Sequence, residues 1–155
     1  MPFVSATTAA ESQRGSILVV AGSATPVTKK QLQHLIANDE RVCHIPVDAE
    51  LLVDRKNAAE IEVNRVVQHA RQCVPAQQNA IFVFESALTG RLLDLQEEEQ
   101  RFGLAHGQAA KNINQGLGNI VREVLSCASG EIKGLYMTGG DTMVNVLKEL
   151  GATGI

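Results

Sequence analysis

The sequence predicts an α/β fold of three layers, a mostly parallel sheet flanked by helices, and two observations lead there. Short uninterrupted apolar runs, Ile17 to Ala21 and Asn79 to Phe84 among them, have strand length without the alternation of a half-exposed sheet. That is the pattern of parallel strands covered on both faces. Each run is followed by a turn and then by helical spacing, so strand and helix alternate along the chain. Such an arrangement is Rossmann-like, and ligands in it bind outside the carboxyl ends of the strands.

The chain of 155 residues fits one domain with a sizeable core, and 45% hydrophobic with 20% charged residues is an ordinary globular composition. A net charge of -3, no Trp and one Tyr argue against a nucleic-acid partner, which needs a basic field and stacking platforms. Cys43, Cys73 and Cys127 are widely spaced in apolar patterns, which reads as buried free thiols in a reducing compartment. Met1 to Ser16 has no basic segment followed by a long apolar core, so it is read as neither signal peptide nor anchor. The Ile17 to Ala21 run is too short to cross a bilayer. A cytoplasmic protein is expected.

Residues 1–15, small and polar without periodicity, read as a flexible lead-in to a domain over 16–155. The first strand, Ile17 to Ala21, ends in Gly22-Ser23-Ala24-Thr25-Pro26, where Thr25 before Pro26 is a helix cap followed by the residue best tolerated at the first helical position. The helix that follows carries Val27, Leu32, Leu35 and Ile36 inward and stops near Asn38-Asp39. Val42 to Val47 reads as a second strand, placed near an edge by Pro46, with His44 as a hydrogen-bonded structural residue. Asn57 to Val74 is an amphipathic helix with Ile61, Val66, Val67, Ala70, Cys73 and Val74 as its buried stripe. The third strand, to Phe84, leads into Ser86 to Gly90, a third loop at a strand's carboxyl end.

Leu92 to Gly103, with Gln96-Glu-Glu-Glu-Gln100, reads as a solvated loop or helix start. Leu104 to Ala128 then has the spacing of one long helix or a broken pair. Its glycines, 107, 116 and 118, point to a kink, a ligand or the close approach of another backbone. His106 at its start is a candidate phosphate contact. Leu135, Tyr136 and Met137 form a short buried strand, Gly139-Gly140 the turn after it, and Asp141 or Thr142 the cap of a last helix that closes at Gly151.

That last junction is the principal candidate site. The first N–H groups of a helix have no partner inside it, and the macrodipole places about half a positive charge there, so phosphate is welcomed. A tight chain reversal alone also accounts for two glycines. Neither the P-loop pattern nor the dinucleotide glycine fingerprint occurs at a strand end.

Taken together, Ile17-Leu-Val-Val-Ala-Gly-Ser-Ala-Thr-Pro-Val-Thr-Lys-Lys-Gln31, then Gly134-Leu-Tyr-Met-Thr-Gly-Gly-Asp-Thr142 and Leu150-Gly-Ala-Thr-Gly-Ile155, resemble the four-carbon acid sugar kinase family, in its C-terminal nucleotide-binding domain. The resemblance implies an ATP-dependent kinase acting on threonate, erythronate or a 3-oxo relative, with Mg2+ arriving on the nucleotide. It places Ser23, Gly139, Gly140, Asp141 and Thr142 around the ATP. Family members carry a separate N-terminal domain that binds the sugar, and a further glycine-containing segment after the position of Ile155. The expectation is therefore a domain that binds ATP without turnover, truncated at its C-terminus. Two alternatives stand beside it: a non-catalytic Rossmann-like module that uses an incomplete edge for homo-oligomer assembly, and an oxidoreductase-type dinucleotide domain, disfavoured by the missing fingerprint.

Overall fold

A computed structural model describes residues 15–22, 25–88, 91–128 and 130–153. The elements run β1 (Ser16–Ala21), α1 (Pro26–Asn38), β2 (Val42–Pro46), α2 (Ala49–Val53), α3 (Ala58–Cys73), β3 (Ile81–Glu85), α4 (Leu95–Phe102), α5 (Gln108–Ala128), β4 (Ile132–Thr138) and α6 (Gly140–Glu149). The four strands form one sheet in the order β2-β3-β1-β4, every pair parallel. This is the expected three-layer Rossmann-like architecture. Residues 1–14, most of the expected lead-in, lie outside the described residues; Gly15 is fixed by an N–H donated to Asn79 Oδ1 at 2.9 Å.

The two sheet faces are covered unequally. On one face the large core joins Leu18, Val20, Phe82 and Phe84 to Val66 of α3, Leu117 and Ile120 of α5 and Val146 of α6. On the other, α1 is the one helix among the described residues, and it lays Leu32, Leu35 and Ile36 against Val19, Ala21 and Val83. A single helix cannot cover four strands, so β4 is left open there and Tyr136 is 61% exposed. The expectation of a buried strand around Tyr136 is corrected accordingly: β4 is an edge strand whose alternate residues face solvent.

Three further expectations change for tertiary reasons. Val27 and Ile61 fit the helical spacing but are exposed, since they lie beyond the reach of the sheet on α1 and α3. The acidic run is not solvated throughout: Glu98 and Glu99 are buried. Glu98 pairs with Arg91 and Arg101, while Glu99 Oε1 accepts the Ala109 N–H at 3.1 Å in the first turn of α5. Cys127 is exposed, with its Sγ at 3.2 Å from Arg71 Nε, whereas Cys43 and Cys73 are half-buried; all three are free. Burial pushes the Cys43 thiol up to about 11, with the neighbouring Cys73 adding to the effect.

The long helix is one unbroken piece from Gln108, and Gly116 and Gly118 within it are explained by close approach, whereas Gly107 lies in the turn before it at φ 80° with nothing near its missing Cβ. A Cβ on Gly118 would meet Asn145 O at 3.2 Å and Glu149 Cγ at 2.8 Å, so the backbones of α5 and α6 approach there as far as a bare glycine permits. The two helices run in the same direction, with Asn114 beside Thr142 and Arg122 bonded to Glu149 at 2.9 Å. Their N-termini therefore lie at the same edge of the sheet, the carboxyl edge. His44 Nε2 donates to Glu85 Oε1 at 2.7 Å, which makes it the hydrogen-bonded structural residue expected. No helix among the described residues is long and apolar enough to cross a membrane.

Candidate functional site

At the carboxyl edge β1 is the central partner, its Ala21 paired with Glu85 of β3 on one side and with Thr138 of β4 on the other. The chain leaves β1 through Gly22 and leaves β4 through Gly139, so the two glycine junctions lie side by side. Gly139 has φ 97° and ψ 123°, a conformation that excludes most side chains, and it occupies the cap position of α6 with no side-chain cap bond. Asp141 and Thr142, expected as caps, are instead inside the first turn. The first hydrogen bond of α6 runs from Met143 N to Gly139 O at 2.9 Å. The N–H groups of Gly140, Asp141 and Thr142 precede it and have no carbonyl within the helix to donate to.

The three residues of that turn have different surroundings. Thr142 is 1% exposed, and its hydroxyl donates to Asn114 Oδ1 at 2.7 Å across the α5–α6 contact. Its side chain therefore points into the protein, held by a buried acceptor that requires a donor, and only its backbone N–H faces the turn. Asp141 is exposed, its carbonyl accepting from Asn145 Nδ2 at 2.8 Å, and among the described residues its carboxylate has no hydrogen bond or ion pair. Gly140 has an ordinary backbone, and a Cβ there would meet nothing within 4 Å. Nothing in the described chain requires glycine at 140, so the residue keeps open a space that belongs to solvent or to a ligand. Ser23, the candidate from the first junction, lies outside the described residues.

Gly22 was legible only as part of a turn, and its role is now specific. A Cβ on it would stand 2.1 Å from Thr142 Oγ1 and 3.1 Å from Asn114 Oδ1, so the first junction is packed onto the buried bond that holds the second. Asn114 was overlooked because it hides in a helical stripe between Ile113 and Leu117; a polar residue there was the signal. Glu85 was also overlooked. It is fully buried at the end of β3, where its Oε2 accepts from the N–H groups of Ala87 and Leu88 at 2.8 and 2.6 Å and so fixes the start of the third edge loop. His106 is exposed on the turn ahead of α5, with Nδ1 3.6 Å from Glu99 Oε2.

Chemically, the Gly139–Thr142 turn offers backbone donors and a helix dipole. Among the described residues no group of three or more His, Cys, Asp and Glu is placed to hold a metal ion. The arrangement suits the binding of an anionic group at Gly139–Thr142, with geometry supplied by glycine and held from behind by Asn114.

Comparison with known proteins agrees with that chemistry. The family described as "Nucleotide-binding C-terminal domain" matches residues 18–155. Among curated proteins, a D-erythronate kinase of Heliobacterium modesticaldum is 34% identical over 142 residues, which is 90% of this chain and 31% of that protein. A D-threonate kinase of Salmonella typhimurium is 29% identical over 145 residues, 93% of this chain and 33% of its own length. The chain thus spans about a third of the length of these relatives. An all-parallel sheet with a glycine turn opening onto an uncapped helix, matched over nearly its whole length, belongs to the family of nucleotide-binding C-terminal domains seen in four-carbon acid sugar kinases.

Proposed function

We propose that this span is the ATP-binding part of a cytoplasmic kinase that phosphorylates a four-carbon acid sugar, and that alone it binds nucleotide without turnover. The observation that carries the reading is the start of α6: three N–H groups without helical partners, beside an open space at Gly140, in a domain of a nucleotide-binding family. In this reading the N–H groups of Gly140, Asp141 and Thr142 take phosphate oxygens, Gly139 shapes the turn, and Ser23 contributes from the facing junction. Mg2+ comes with the nucleotide and neutralises phosphate charge when bound. The exposed, unpaired Asp141 carboxylate fits the holding of a water on that ion.

The relatives' names supply the sugar class, erythronate or threonate, and the two thirds of their length outside this span would hold that substrate. Phosphoryl transfer depends chiefly on placing two substrates in line with charge stabilised between them, so a domain holding one of them binds without reaction.

Thermal unfolding with and without millimolar Mg-ATP, with NAD as control, tests the proposal. ATP at about 100 times its dissociation constant should stabilise the fold by roughly 2.7 kcal/mol, a rise of several degrees. Gly140→Val, whose side chain would fill the open space, should abolish the rise. No rise with ATP, or an equal rise in the variant, would overturn the reading.

A further inference from the structure

The two helices that frame the glycine turn place one lysine beside it. α5 touches α6 along a single stripe, in which Asn114 reaches Thr142, Gly118 meets Asn145 and Glu149, and Arg122 bonds Glu149. Lys111 belongs to that stripe, because seven residues make close to two turns and leave it within about 20° of Gly118. It stands three residues before Asn114, about 4.5 Å nearer the carboxyl edge at the helical rise. Gly139 likewise stands three residues before Thr142, so Lys111 is level with the turn. Helical side chains lean toward the N-terminus of their helix, and the lysine stem therefore leans outward, over the mouth of the turn.

Two donors on this side of α5 are unused. Lys111 is exposed, and among the described residues its ammonium makes no hydrogen bond or ion pair. The arginines that follow β3 differ, since Arg91 is paired with Glu98, and Arg101 with Glu98 and Glu50. Below the lysine, Asn114 is 9% exposed; its Oδ1 is taken by Thr142, and its Nδ2 makes no hydrogen bond among the described residues. No fully enclosed side-chain nitrogen or oxygen of the described chain lacks a partner, so that nitrogen opens outward. A free ammonium and a free amide donor thus flank the three free N–H groups of α6.

We propose that Lys111 holds the second phosphate of a chain whose first phosphate sits on Gly140–Thr142, so that the site selects for at least two linked phosphates; the proposal rests on the nucleotide reading above. The N–H groups converge on one tetrahedral group at the end of the α6 axis. Lys111 approaches from a neighbouring axis about 8–10 Å away, on the outer side of that group, where the next phosphate extends. That phosphate has no helix end of its own, and its charge calls for a cation on a flexible stem.

The test is isothermal titration of this chain with orthophosphate, pyrophosphate and Mg-ATP, alongside Lys111→Gln, Lys111→Arg and Lys148→Gln. Lys111 is exposed and unpaired, so its replacement leaves the fold intact. Lys148 is exposed in the last turn of α6, and its substitution makes the same change of net charge at the far end of that helix. Lys111→Gln should weaken pyrophosphate and Mg-ATP about tenfold and orthophosphate by less than about twofold. Lys111→Arg should stay near wild type and Lys148→Gln should change nothing. Equal affinities of wild type and Lys111→Gln for pyrophosphate and Mg-ATP would overturn the proposal and leave the nucleotide reading standing. An equal loss in Lys148→Gln would reduce Lys111 to general surface charge, and an equal loss for orthophosphate would put it on the first phosphate; either overturns the proposal. A wild-type chain that binds no Mg-ATP would overturn both readings.

Discussion

Gly22 and Thr142 lie so close that any side chain on the glycine would displace the threonine hydroxyl from Asn114: the added Cβ would be 2.1 Å from Oγ1. One glycine at the end of β1 thus sets how near α6 lies to the centre of the sheet. Gly22→Ala should lower stability by about 1–3 kcal/mol, through overpacking and the loss of a buried hydrogen bond, and calorimetry should show a melting temperature several degrees lower. An unchanged melting temperature would mean that the two junctions are not packed together.

The adjacent glycines of the turn should respond in opposite ways. Gly139, at φ 97°, is in a region that L side chains avoid, so Gly139→Ala should destabilise by about 1–2 kcal/mol. Gly140 has an ordinary backbone and open space, so Gly140→Ala should be neutral or slightly stabilising in the apo protein. Urea midpoints of the two variants compared with wild type decide the matter. Equal losses would show that the second glycine has a structural task of its own.

Glu99 gives a third test. Its carboxylate takes the N–H of Ala109, which is fully buried at the start of α5. Glu99→Ala leaves that donor without a partner and should be destabilising by about 1–3 kcal/mol, whereas Glu99→Gln keeps an acceptor and should lose less. Equilibrium denaturation of both variants reads the difference.

The thiols should separate by rate. Only the thiolate reacts readily, so at about pH 8 the exposed Cys127 should be alkylated first. Cys43, half-buried and pushed up to about 11, should be last. Peptide mapping after timed iodoacetamide treatment gives the order, and early labelling of Cys43 would contradict its burial.

How far the sequence led depends on what each feature rests on. The strands and the glycine turn were legible because apolar runs and paired glycines are local signals, and α1 was legible from Thr25-Pro26, whose hydroxyl does receive the Thr28 N–H at 3.3 Å. Exposure was not legible where it depends on neighbours distant in sequence. Val27, Ile61 and Tyr136 fit a buried pattern, yet each faces a region no described element covers. The reverse holds for Glu98 and Glu99, whose burial depends on Arg91, Arg101 and Ala109. At the candidate site the backbone turn was read correctly in kind, but the inward bond of Thr142 required knowing that Asn114 stands behind it. A hydroxyl near a helix start reads the same in sequence whether it faces a ligand or the core.

The position of β1 also sets an order on how the molecule is made. Among the described residues it is the first strand, yet it is central in the sheet, with Ile17 pairing to Ile81 on one side and to Gly134 on the other. During synthesis its second edge must wait for more than a hundred further residues, on the order of ten seconds at ribosomal speed. Through that interval the nascent chain carries an unsatisfied, strongly apolar ribbon, while β2 and β3 already have each other within reach. Slow, non-local closure and a need for protection from aggregation on the way are the kinetic consequences of pairing the middle strand with partners so far along the sequence.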